Sequence, residues 1–283
     1  MRNGLASLPG KPASFWETPA ARLVDAQAPG LARRLRALHG MTATGEDWPV
    51  RLLREFTTLH LAREAWSRKA TLSAETQSDL RAAVGFTVSQ EEVLAQSGVR
   101  DRWIVTGQRV EEEERLRVQR TWLFGSVTKR AALCLSFSAG ANQPFDVSMA
   151  PGTIVDADLA FFPSAFPLRA LVKQRYGAAE PGYAEYPHAT ILSANSLAAD
   201  AFSANPWLER VPFALAAVTP VRRVHGWIVR DQASHFLPLD IRDMEAWKLL
   251  ALSGGNPVAL SGEWDGESLR PVSVWAEGRF VTL

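Results

Sequence analysis

The feature that most constrains this chain is a change of hydrophobic period partway along it. Between Arg120 and Arg175, Ala131, Leu133, Leu135 and Phe137 alternate with Ala132, Cys134, Ser136 and Ser138. Further on, Val155, Ala157, Leu159 and Phe161 alternate with Asp156 and Asp158. A period of two sends successive side chains to opposite faces of an extended chain, so each run predicts a half-buried strand. Breaks around Gly140 to Pro144 and at Pro151-Gly152 separate the runs,. The stretch therefore predicts an antiparallel meander with one apolar face.

Upstream the period is helical. Pro19 sits early in a helix carrying Leu23 and Val24 that Pro29-Gly30 ends, and Leu31, Leu35 and Leu38 follow at helical spacing,. Asp47-Trp48-Pro49 opens a third helix with Leu52, Phe56 and Leu59 on one side, and Ser73 opens a fourth through Leu80 and Val84. Ser89 followed by Glu92 has the form of a capping box ahead of Val93,. At Val99 the period switches. Strands are expected from Trp103 and over Val118 to Phe124, with Gln108 to Arg117 as a charged turn, and Leu168 to Lys173 reads as a short helical turn. A helix over Ser193 to Phe202 precedes a second β region from Val211. A last helix from Asp243 carries Met244, Trp247, Leu250 and Ala251 on one side, and Gly254-Gly255 stops it,. Asp265-Gly266 and Glu277-Gly278 have the form of hairpin turns,.

The expected organisation is α+β. A flexible lead-in (1–14) precedes a helical module (15–98) and an antiparallel β meander (99–176). A linker (177–189) leads to an α+β region (190–283) ending in hairpins,. The two β regions read as similar small barrels or sheets.

Charge and cysteine content exclude several functions. Lysines and arginines number 31 against 30 aspartates and glutamates, for a net charge of +1. A general nucleic-acid binder needs a basic excess to neutralise phosphates, so this class is disfavoured. Local clusters (Arg33, Arg34 and Arg36; Arg222 and Arg223) keep it as an alternative. The single cysteine, Cys134, permits neither an internal disulfide nor a multi-thiolate zinc site,. With no apolar run of membrane-spanning length and no secretory signal at the N-terminus, the expected location is the cytoplasm.

No catalytic motif stands out. The chain has no Walker loop, no G-x-G-x-x-G and no G-x-S-x-G elbow,. None of its five histidines lies four residues from another, and His225 and His235 are a remote two-histidine metal candidate. Asp156 and Asp158 share a strand face, where paired carboxylates can act as acid and base or hold a divalent cation. The competing reading of that pair is a solvated sheet face. One arginine–aromatic set has the composition of an interface hot spot: Arg120, Trp122, Arg169, Lys173 and Arg175,. The competing reading puts Trp122 in the core with arginines around it.

Several phrases, in order, resemble one family. Ala21 to Leu38 (ARLVDAQAPGLARRLRAL), Arg120 to Gly125 (RTWLFG), the ALCLSFSAG strand and Ala150 to Val172 (APGTIVDADLAFFPSAFPLRALV) resemble the bacterial SWIM zinc-finger proteins. Within those proteins they resemble the long region that follows the finger, from about Phe15 onward. The family's C-x-C…C-x-H zinc cluster has no counterpart here, so no zinc role transfers to any residue. The expectation is a downstream part of a longer product, or a relative that has lost the finger. The resemblance implies an accessory role beside a MoxR-type AAA+ ATPase and a von Willebrand A-domain protein. Together these readings give a non-enzymatic cytoplasmic interaction protein without a cofactor. The alternatives are a nucleic-acid-associated protein and a metal-dependent hydrolase using Asp156 and Asp158.

Overall fold

The computed structural model describes residues 7–42, 47–113, 116–138, 145, 149–182, 186–188 and 190–283. The expected break at Gly140 to Pro144, Glu114 of the charged turn, and the start of the lead-in lie outside the described residues. The fold is α+β, and the chain divides into two compact units.

The first unit holds residues 1–89 with two short later segments, 163–165 and 204–207. Its helices are α1 (Ala13–Asp25), α2 (Pro29–Met41), α3 (Trp48–Ser67) and α4 (Ala74–Val84), with a single 3-10 turn at Lys69–Thr71. The local signals are those of ordinary helix ends. Proline opens α2 and lies in the first turn of α3, where its missing N–H costs nothing,. The Ser73 hydroxyl caps α4 by accepting from the Thr76 N–H at 3.2 Å, and Gly85 ends it in the left-handed region at φ 116°,. Gly85 and Gly30 pass so close that a Cβ on either would strike the other's backbone segment. Trp16, Leu38 and Leu52 form one core; Ala28, Ala62, Leu80, Val84 and Trp207 form another.

The second unit opens with α5 (Gln90–Leu94) and contains two six-stranded antiparallel sheets, each with five strands curled barrel-like, the first barrel and the second barrel below. The first is built from β1 (Val99–Glu113), β2 (Leu116–Gly125), β3 (Ala131–Ser138), β4 (Thr153–Phe161) and β5 (Ala170–Arg175). The strands lie in the order β3-β2-β1-β4-β5. A parallel bridge from Leu133 to Arg169 closes the cylinder, with the Leu133 N–H donating to the Leu168 carbonyl at 2.7 Å. A two-residue strand, β6 (Glu180–Pro181), adds to β4, and α6 (Ile191–Ala204) links the barrels.

The second barrel comprises β7 (Val211–Arg223), β8 (Gly226–Arg230), β9 (Phe236–Pro238), β10 (Val258–Trp264) and β11 (Leu269–Ala276). Helix α7 (Asp243–Ser253) lies between β9 and β10, and β12 (Arg279–Thr282) extends the edge beyond β11. Here too a parallel bridge, Leu239 to Leu269, joins the third strand's end to the fifth. Both barrels share one connectivity: a three-strand meander whose long first strand also pairs the fourth, with third and fifth strands parallel. This is the connectivity of the OB-fold, a five-stranded Greek-key barrel.

Two expectations are corrected by long-range pairing. Gln108 to Arg117 is not a turn: Gln108 pairs Thr121, Arg109 pairs Arg120 and Glu112 pairs Arg117, so the hairpin extends to residue 113. The opposite charges of Glu112 and Arg117 favour that extension, and the like-charged Arg109 and Arg120 are each met by a carboxylate, Glu111 and Glu263,. Leu168 to Lys173 is not helical, because Ala170, Leu171 and Val172 pair β4 as β5 and turn Ala170 into the barrel core. Within the expected linker, Glu180–Pro181 pairs β4 and His188 bridges Leu215. On α7 the buried side is Ala246, Leu249 and Ser253, which leaves Met244 and Trp247 exposed.

Candidate functional site

The structure does not bring the five arginine–aromatic candidates together. Arg120 and Trp122 lie on β2, whereas Arg169, Lys173 and Arg175 lie at β5, with β1 and β4 between them on one side and β3 on the other. The Arg169 guanidinium stacks 4.2 Å from the Phe162 ring centre. The Lys173 ammonium donates to the Gln96 carbonyl at 2.7 Å. Arg175 is half-buried opposite Ala157.

Arg120, Trp122 and Phe124 do share the outer face of β2, and the second barrel covers that face. Phe124 packs with Tyr186 and with two small residues that receive its ring, Ala214 on β7 and Ala259 on β10. Trp122 is 3 % exposed, and its indole N–H donates to Glu263 on β10 at 2.7 Å. Trp122 therefore presents no surface to a partner. Gly107 on β1 allows Val272 to approach: a Cβ there would lie 2.6 Å from a Val272 methyl. The Ser273 hydroxyl donates to the Thr106 carbonyl nearby.

Glu263 is the centre of this junction. Its side chain is 0 % exposed and takes Arg120 at 3.1 Å and Arg210 at 2.7 Å besides the indole. Burial alone would raise this carboxyl, but Arg120, Trp122 and Arg210 outweigh it and hold Glu263 below the usual range,. Arg210 also reaches Glu111 at 3.4 Å, and Arg270 joins Glu111 to Asp240. Glu111, expected as a solvated turn residue, is thus a member of an ionic network.

The carboxylate pair is occupied. Asp156 is bound by Arg100 through two contacts of 3.0 and 2.9 Å. Asp158 accepts the Tyr176 hydroxyl at 2.7 Å, and the Arg100 guanidinium lies 3.8 Å over the Tyr176 ring. Among the described residues no group of three or more His, Cys, Asp or Glu side chains could hold a metal ion. His235 faces Asp231 at 3.4 Å, and Asp231 also accepts the Ile191 N–H at the start of α6.

The concave feature that sequence reasoning missed is in the helical unit. Leu23, Ala28, Leu31, Leu59, Ala62, Trp66, Val84 and Phe86 line an open apolar groove of about 400 Å³, with Arg63 at its margin. Trp66 and Phe86 stack with centres 5.7 Å apart. Lys69 caps the Trp66 face and Arg81 the Phe86 face, each at 4.9 Å. The spacing of Leu59, Ala62 and Trp66 on α3 carries the helical signal, but only the bundle shows that α1, α2 and Phe86 complete the walls.

No helix among the described residues is long and apolar enough to cross a membrane. No curated protein and no solved structure matches the chain. One family matches part of it: residues 1–84, the four-helix unit bearing the groove, match the SWIM-associated four-helix bundle domain.

Proposed function

We propose that this chain is a non-enzymatic accessory protein that binds another protein through the groove of its helical bundle. The groove is what carries this reading. It is a concave apolar surface of about 400 Å³ on a helical bundle, the form that accepts the apolar face of an amphipathic helix,. The charge around it defines the occupant. Residues 1–89 contain twelve Lys and Arg against eight Asp and Glu, whereas the remainder of the chain is net acidic. Arg63, Lys69 and Arg81 stand at or beside the groove walls. The fitting partner segment is a helix with apolar anchors and acidic flanks, drawn in by complementary charge.

The partners proposed for the first test are a MoxR-type AAA+ ATPase and a von Willebrand A-domain protein, in the cytoplasm. They are suggested by the resemblance to SWIM proteins and by the SWIM-associated domain at residues 1–84. Calorimetric titration of each purified partner into the full chain tests this. Saturable binding to one of them is expected, weakened at least tenfold by Leu59→Lys, which places a charge in the groove. Titrations that show no heat with either partner, or equal affinity for the Leu59→Lys chain, would reject the reading.

A further inference from the structure

The two barrels have the same connectivity, yet corresponding faces meet different fates. On the first barrel, the outer face of the meander strands carries an arginine–aromatic pair, with the Arg120 guanidinium 5.8 Å from the Trp122 ring centre. That face is covered, and Glu263 neutralises the arginine. On the second barrel, the corresponding face belongs to β7, β8 and β9. Val229 and Leu237 point into the core, so Ile228, Arg230, Phe236 and Pro238 point outward. Register with β8 puts Val221 and Arg223 on the same outer side of β7.

This face repeats the arginine–aromatic pair without a carboxylate on it. Arg223 reaches across β8 to lie 5.7 Å from the Phe236 ring centre, which leaves Ile228 only 7 % exposed beneath. The ring itself remains 55 % exposed. Arg230 stands directly opposite Phe236 in the ladder. The neighbouring carboxylates are taken: Arg270 holds Asp240, while Asp243 receives the Trp227 indole and Arg222.

We infer that the outer face of β7, β8 and β9 is a binding platform for single-stranded nucleic acid. An exposed ring offers a base a stacking partner, and flanking arginines without a carboxylate on their face meet the phosphates on either side. The near-zero net charge of the whole chain does not decide this local question: Arg223 and Arg230 stand on a face whose strand positions carry no carboxylate, and the nearby Asp240 and Asp243 are held by Arg270 and by Arg222 with the Trp227 indole. Duplex nucleic acid does not fit the same surface, since its bases are stacked internally and offer no free ring face to Phe236.

Fluorescence anisotropy with a labelled oligothymidylate of about 12 nucleotides, titrated with the full chain, tests the platform. Saturable binding is expected at low salt, falling steeply as salt rises. Phe236→Ala should weaken it by roughly tenfold. The double change Arg223→Ala with Arg230→Ala should both weaken it and flatten the salt dependence. Arg54→Ala on the helical bundle should leave it unchanged, and an equal-length duplex should not compete. Absence of binding at low salt, or binding that Phe236→Ala and the double change leave intact, would overturn the inference and assign the face to a protein partner.

Discussion

Replacing Glu263 by alanine tests whether a buried charge sets the junction between the barrels. The substitution leaves the guanidinium groups of Arg120 and Arg210 and the Trp122 indole N–H without their shared acceptor, in a place where the lost side chain had 0 % exposure. Removing one partner of a buried ion pair costs about 3–5 kcal/mol, because the remaining charge stays desolvated. For a unit of this size each kcal/mol lowers Tm by about 2–4 °C, so a fall of roughly 6–20 °C is expected. Glu263→Gln keeps the shape and one acceptor for the indole, and should lose about half as much. Replacing Arg120, Arg210 and Glu263 together by Met, Met and Leu should recover most of the loss, since an apolar set of similar volume removes the unpaired charges. Thermal unfolding followed by tryptophan fluorescence reads all three variants. A Tm for Glu263→Ala within about 2 °C of the parent would refute the argument, because it would mean that water or relaxation satisfies the two arginines.

Further outcomes follow from other buried groups. His188 sits between the rings of Phe124 and Phe213, and burial pushes its pKa down to about 4. Neutral His188 fits the fold, so stability is complete above pH 6.5 and falls as pH drops from there towards 4, by about 3 kcal/mol in all; denaturant midpoints for His188→Phe should lose that slope. Asp101 is buried and takes N–H groups of Arg102, Val127 and Thr128 and the Thr128 hydroxyl, which outweigh burial and hold its carboxyl below the usual range. Asp101→Ala should therefore cost about 2–4 kcal/mol and speed amide exchange in the turn after β2. The Cys134 thiol, pushed up to about 12 by burial, should resist an aromatic disulfide reagent in the folded chain and react once urea unfolds it,. Asp156→Asn should leave Tm almost unchanged, as expected for an exposed pair, and millimolar magnesium or calcium should not raise Tm,.

The division between helical and β parts was legible because it depends on local period. The helix start at Ser73, the strand over 131–138, and the turns at Asp265-Gly266 and Glu277-Gly278 are set by near neighbours. The facing of 131–138 was not legible: Ala132 and Cys134 enter the core, and Phe137 of the expected apolar side is exposed. What was not legible depends on partners far along the chain. Ala170 to Arg175 has no strong strand signature, and it becomes a strand because β4 and the bridge beside Leu133 supply the pairing. The Glu111 carboxylate resembles its solvated neighbours in sequence, but arginines 99 and 159 residues away draw it into a network. Trp122 and Arg120 were recognisable as an unusual pair on one face, yet sequence could not reveal that the second barrel covers them. Arg223 and Phe236, on strands separated by a full hairpin, become a pair only through the register of β7, β8 and β9. The groove of the helical unit is a property of four helices and Phe86 together, so no single stretch announces it.

The central claim is that the bundle groove is a docking site for a partner's helix. Hydrogen exchange of the full chain, alone and saturated with the partner that binds it, tests this directly. The account predicts slowed exchange concentrated in α3 from Leu59 to Trp66 and in the Val84 to Phe86 segment, with the β7–β9 face unchanged. Protection elsewhere, with those two segments exchanging as in the free chain, would contradict it.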